Sequence, residues 1–178
     1  GGGVALRALF TLGDWVTDLP VHRLVLLDAA SYDQKMPFFI RQLTNPVGRF
    51  IAFTFMSPAM RVRYTMERIM RAPGAVTARR VARYAYFNDL PGSEHALVAT
   101  AERLLPPDHE EFVARFPSIR QPTLIIWGAN DPVIPTGHAL RLHADIPDSE
   151  LVVLSLTGHV PHEERPREVA RRIAEFLR

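Results

Sequence analysis

Asp131 and His159 are the two residues whose types, spacing and surroundings fit acid–base chemistry. Asp131 follows the apolar run 123–127 through Gly128, Ala129 and Asn130, and His159 follows the run 151–156 through Thr157 and Gly158. Short runs rich in β-branched residues suit strands buried on both faces of a parallel sheet. Catalytic groups in open α/β sheets gather beyond the carboxyl ends of the strands, where both residues fall. A carboxylate that orients an imidazole, and an imidazole that takes and returns a proton, are the last two members of a Ser, Asp, His relay. The competing reading of Asp131 is a turn former that caps its own backbone. His22, His95, His109, His138 and His143 read as surface or helix residues, and His162 lies three positions beyond His159. No pair of histidines has the spacing or carboxylate company of a metal site, so neither a metal nor a cofactor is expected.

The elements that must position this pair are legible around it. Residues 23–28 read as a third buried strand after a turn at Asp18, Leu19 and Pro20. Residues 1–12 carry Val4, Leu6, Leu9 and Phe10 in a helical pattern with Gly13 as the stop. The glycines at the start of that helix would let it pack closely on a strand; the competing reading is a flexible glycine-rich tail. From Ser31 to Phe116 the pattern is helical, broken at prolines, with helices expected at 37–43, 46–55, 58–70, 77–88 and 93–105. Thr77 is the expected N-cap of the fourth, ahead of Val81, Ala82, Ala85 and Tyr86. Helices at 135–144 and 166–177 complete the chain, the last with Val169, Ile173, Phe176 and Leu177 on one face and Pro166 in its first turn. Strands alternating with helices give an α/β fold with about three parallel strands and flanking helices.

The run from Trp127 to Pro135, together with Gly158, His159, Pro161, Glu164 and Pro166, resembles the acid and histidine segments of the α/β-hydrolase superfamily. The 28-residue separation of Asp131 and His159 is typical of that family and leaves room for a loop, one helix and one strand. Gly1, Gly2, Gly3, Val4, Ala5 and Leu6 resemble the segment immediately after the nucleophile in G-x-S-x-G-G, and residues 23–30 resemble the family's sixth strand. The resemblance implies the C-terminal part of a hydrolase, lacking the first five strands, the nucleophile two residues before Gly1 and part of the oxyanion hole. It divides the chain into hydrolase core at 1–33, an inserted helical cap at 34–117 and hydrolase core at 118–178. The implied activity is hydrolysis of ester, carbon–carbon or related bonds of a small apolar substrate, and the chain alone is expected to be inactive.

A cap walls the pocket of such enzymes, and Met36, Phe38, Phe39, Val133 and Val160 are the expected pocket residues. Seven arginines between Arg61 and Arg83 read chiefly as solvated helix faces, with an anionic substrate or membrane surface as the sharper alternative. Tyr64, Tyr84 and Tyr86 read chiefly as packing residues, with the ring-oxygen-polarising tyrosines of epoxide hydrolases as the sharper alternative. An Asp nucleophile, making the protein an epoxide hydrolase or dehalogenase with His159 activating water, is the rival within the same fold, although Gly1 to Leu6 look more like the serine branch. A non-catalytic fragment or interaction module is the alternative outside enzymology, since a sheet cut beside its sixth strand exposes an apolar edge.

Composition narrows the partners. The formal charge of +2 gives no argument for nucleic acid, and no apolar run is long enough to span a membrane. A small molecule is the expected partner. The absence of cysteine excludes disulfides and is compatible with a reducing compartment such as the cytoplasm.

Overall fold

The computed structural model describes residues 1–15, 21–103 and 108–178. Three strands, β1 (Leu24–Leu27), β2 (Thr123–Gly128) and β3 (Ser149–Leu154), form one parallel sheet in the order β1-β2-β3. Leu26 pairs with Ile125, and Ile125 in turn with Leu151. The central strand is buried at all six positions, as its apolar run requires. Its side chains alternate between two cores. Ile125 and Trp127 face Leu6 and Phe10 of α1 (Gly2–Trp15), Leu26, Phe116, and Ala139 and Leu142 of α8 (Gly137–Asp145). Leu124 and Ile126 face Leu154 and Val169, with Ile173 and Phe176 of α10 (Pro166–Phe176) packed alongside. Helices on both faces of a parallel sheet are the arrangement its doubly apolar strand demands.

Three expectations need correction. The third strand starts and stops two residues earlier than the run 151–156, and Glu150 and Val153 are exposed, so β3 is an edge strand rather than one buried on both faces. Leu156 lies in the turn after it at φ +51°. Gly13 does not stop the first helix, which continues to Trp15. The cost of a helical glycine, about 1 kcal/mol, is small beside the burial of Leu6, Leu9 and Phe10 on the same helix. The first glycines are no loose tail, because a side chain at Gly2 would overlap Ala29 and one at Gly3 would press on the Ala30 carbonyl.

Between β1 and β2 lie α2 (Phe38–Thr44), α3 (Pro46–Phe55), α4 (Pro58–Ile69), α5 (Ala78–Asn88), α6 (Ser93–Glu102) and α7 (His109–Ala114). Prolines in the first turn open α3 and α4, where a missing N–H costs nothing. Thr77 caps α5 by accepting from the Arg80 amide at 3.1 Å, and Asn45 and Ser57 cap α3 and α4 in the same way. The short helix α7 and the 3₁₀ turn Phe116–Ser118 occupy a stretch where no helix was expected. They bring Phe112 and Phe116 onto Phe10 as an aromatic cluster. The turn expected at Asp18, Leu19 and Pro20 and the end of the helix expected at 93–105 lie outside the described residues. Among the described residues no helix is long and apolar enough to cross a membrane.

Candidate active site

The acid loop leaves the buried end of β2. Trp127, with no exposed surface, donates its indole N–H to the Ile134 carbonyl at 3.2 Å and so ties the far end of the loop to the strand. Within it, Asp131 Oδ1 accepts from the amides of Val133 at 2.7 Å and Ile134 at 3.0 Å. That is the backbone-capping role open to any turn aspartate. The second oxygen does something else. Oδ2 stands 2.9 Å from Nδ1 of His159, and the Asp131 side chain is fully buried while that of His159 keeps 25% of its surface open.

The histidine loop is held on both sides by backbone. Asn130 N–H donates to the Thr157 carbonyl at 3.0 Å, and His159 N–H donates to the Ile69 carbonyl at 2.8 Å. These contacts stack the acid loop, the histidine loop and the end of α4 closely enough to exclude side chains between them. A side chain at Gly128 would overlap the carbonyls of Gly158 and Thr157, and one at Gly158 would overlap the Ile69 carbonyl. Both glycines are therefore required by space rather than by unusual dihedrals.

Glu164, in the short helix α9 (Pro161–Glu164), fastens the same junction. Its carboxylate accepts from the amides of Arg71 and Ala72 at 2.7 Å each, Gly158 at 3.0 Å and Val160 at 3.3 Å. Next to it, Glu163 binds Arg80 Nε at 2.7 Å and accepts from the Tyr84 hydroxyl at 2.9 Å. Tyr84 thereby spends its hydroxyl on a carboxylate, and burial holds that phenol above its ordinary pKa. Arg80 is likewise committed, also donating to the carbonyls of Ala75 and Glu163. Arg61, Arg68 and Arg71 each donate to a nearby backbone carbonyl, while Arg63, Arg79 and Arg83 are exposed.

Asp28 is the participant that the sequence reading misses. It ends β1 at φ +41° with 4% of its surface exposed, and its Oδ1 accepts from the Gly128 amide at 2.9 Å. One ligand-type atom each of Asp28, Asp131 and His159 lies within 4.8 Å of the others. The signal was a charged residue closing an otherwise apolar strand. Burial, followed by the nearby Asp131 and Glu164 charges, pushes the Asp28 carboxyl up to about 9 against the lowering effect of the Gly128 amide.

The five expected pocket residues lie in different surroundings. Val133 packs on the core that holds Trp127, Val160 packs on the cluster built from Val62, Met66 and Val81, Phe38 is exposed on α2, and Met36 and Phe39 are half-buried. His138, on α8, packs edge-on against Tyr32, with its pKa lowered by burial, and takes no part in the Asp131–His159 contact.

The arrangement has a direct chemical consequence. An ionised carboxylate has no proton to give, so the 2.9 Å contact places a hydrogen on His159 Nδ1 and leaves Nε2 as the basic nitrogen. The imidazole is fixed in one tautomer and remains partly accessible.

Comparison with known proteins decides the family. The family model described as "Alpha/beta hydrolase family" matches residues 1–172. The chain belongs to the alpha/beta hydrolase family. This family member resembles a 2-hydroxy-6-oxononadienedioate/2-hydroxy-6-oxononatrienedioate hydrolase of Pseudomonas putida, 39% identical over 72 residues, which are 40% of this chain and 25% of that protein. It also resembles the uncharacterized hydrolase YugF of Bacillus subtilis, 43% identical over 60 residues, or 34% of this chain and 22% of that one. Among solved structures, an alpha/beta hydrolase fold protein from Burkholderia ambifaria superposes with a TM-score of 0.80 at 20% identity, covering 98% of this chain and 62% of the other. A meta-cleavage product hydrolase from Pseudomonas fluorescens superposes with a TM-score of 0.75 at 20% identity, covering 99% and 61%. The family member thus spans about three-fifths of those folds, with its three-stranded parallel sheet and flanking helices as the shared architecture.

Proposed function

We propose that Asp131 and His159 are the acid and base of a Ser-His-Asp relay, and that the intact polypeptide hydrolyses ester, carbon–carbon or related bonds of a small apolar substrate. The observation that carries this reading is the buried Asp131 carboxylate bonded to Nδ1 of the partly open His159. His159 Nε2 takes the proton of a serine hydroxyl as it attacks the carbonyl and returns it to the leaving group. Asp131 keeps the imidazole in the required tautomer and stabilises the imidazolium. The serine stands two residues before Gly1, and backbone amides beside it bind the oxyanion, a contribution of roughly 3 to 4 kcal/mol per donor. Helices α2 to α7 form a cap whose inner face selects the substrate.

Two kinds of substrate merit direct comparison. Aryl esters test the esterase reading. A 2-hydroxy-6-oxo dienoate tests the carbon–carbon reading, which is favoured by the similarity to the P. putida hydrolase. The experiment is to read the coding sequence in frame upstream of Gly1, express the product and expose it to a fluorophosphonate and both substrates. Labelling of a serine inside G-x-S-x-G, with turnover lost in His159→Ala, is the expected result. An aspartate at that position moves the reading to epoxide or halide chemistry, and a stop codon removes the enzyme reading.

A further inference from the structure

Three carboxyl groups, those of Asp28, Asp131 and Glu164, are buried around the junction of the acid and histidine loops, and their donors are unequally shared. Asp131 receives the amides of Val133 and Ile134 and the ring N–H of His159. Glu164 receives four backbone amides. Asp28 receives one, from Gly128, and its Oδ2 is buried with no partner among the described residues. Donors to a carboxylate favour the charged form, and neighbouring like charges with little solvent cannot all be ionised. The group with the fewest donors keeps the proton.

We infer that Asp28 is a protonated positioning residue, which donates the hydrogen on its otherwise unpartnered Oδ2 to the carboxylate of Asp131. This hydrogen completes a chain from Asp28 through Asp131 to Nδ1 of His159. It satisfies the orphaned oxygen, since an acid hydroxyl is a donor where a carboxylate is not. It also gives Asp131 a further donor, so that its charge stays on the carboxylate while the Nδ1 proton stays on the ring. The left-handed backbone at Asp28 is consistent with a demanding position, because aspartate and asparagine are the side chains that tolerate that region best. The raised Asp28 pKa agrees in direction, and the charged or titratable groups facing it are Asp131, Glu164 and His159. The consequence for catalysis rests on the relay reading above, but the protonation itself does not.

The test uses this chain and the variant Asp28→Asn, whose amide can accept from Gly128, donate to Asp131 and keep the backbone. An acid with a raised folded-state pKa is protonated in the fold and ionised in the unfolded chain between the two values, here from 3.8 to about 9. Its stabilising contribution is present at low pH and is lost as pH rises through that window. The folding equilibrium constant of Asp28→Asn relative to the native chain should therefore grow between pH 5 and pH 8, at up to about tenfold per pH unit for one proton. A ratio that stays flat with pH overturns the inference. If the variant does not fold, infrared difference spectra of the native chain between pH 6 and pH 10 provide the second reading. A buried acid carbonyl band must give way to carboxylate at the upper end of that range, and its absence at pH 6 refutes the proposal. Failure of the parent to hydrolyse any substrate would leave both readouts unchanged.

Discussion

Two parts of the helical block between β1 and β2 are held in opposite ways. Helices α4 and α5 bury Val62, Met66 and Val81, and their junction is fastened to the histidine loop by the Ile69 carbonyl, the Glu164 carboxylate and the Arg80–Glu163 ion pair. Helices α2 and α3 have no buried residue, and Phe38, Phe50, Ile51 and Phe55 are exposed. The difference teaches where the candidate site ends mechanically. The α4–α5 junction is part of the scaffold that orients His159, whereas α2 and α3 are attached to it without sharing its core.

Substitutions can break that contrast. The largest effect is expected for Glu164→Ala, which strands several buried amides at once and should cost at least about 3 kcal/mol in urea unfolding. Glu164→Gln should recover part of that loss because it retains an acceptor. Gly158→Ala comes next, at about 1 to 3 kcal/mol, since the new methyl must displace the Ile69 carbonyl or the loop. The Arg80–Glu163 pair is about one-fifth exposed on each side, so Arg80→Met should cost about 1 to 2 kcal/mol in the same assay. Phe50→Ser and Phe55→Ser lie at the other end of the scale and should change stability by no more than about 0.5 kcal/mol in thermal melts. A loss at Phe50 comparable to that at Gly158 would erase the distinction between the α2–α3 and α4–α5 parts of the block.

Local signals made much of this legible in the sequence. The apolar runs at β1 and β2, the N-cap at Thr77 and the prolines opening α3, α4 and α10 depend on adjacent residues alone. Asp131 and His159 could be singled out because each follows a strand through a short glycine-bearing turn. The features that stayed hidden depend on distant partners. The apolar run of β3 does not reveal that the strand lies at an edge with Val153 exposed. Glu164 stands in the histidine segment, but its work is done on amides more than 90 residues earlier in the chain. Asp28 looks like the polar end of a strand until β1 and β2 pair and bring it beside Gly128 and Asp131.

The central claim, that Asp131 holds His159 through Nδ1, is most directly tested by proton NMR of ¹⁵N-histidine-labelled chain. The account predicts a strongly downfield Nδ1 proton assigned to His159, retained in Asp28→Asn and lost in Asp131→Asn. If Asp131→Asn folds with the native amide spectrum and keeps that resonance, Asp131 is not the partner and the relay reading fails.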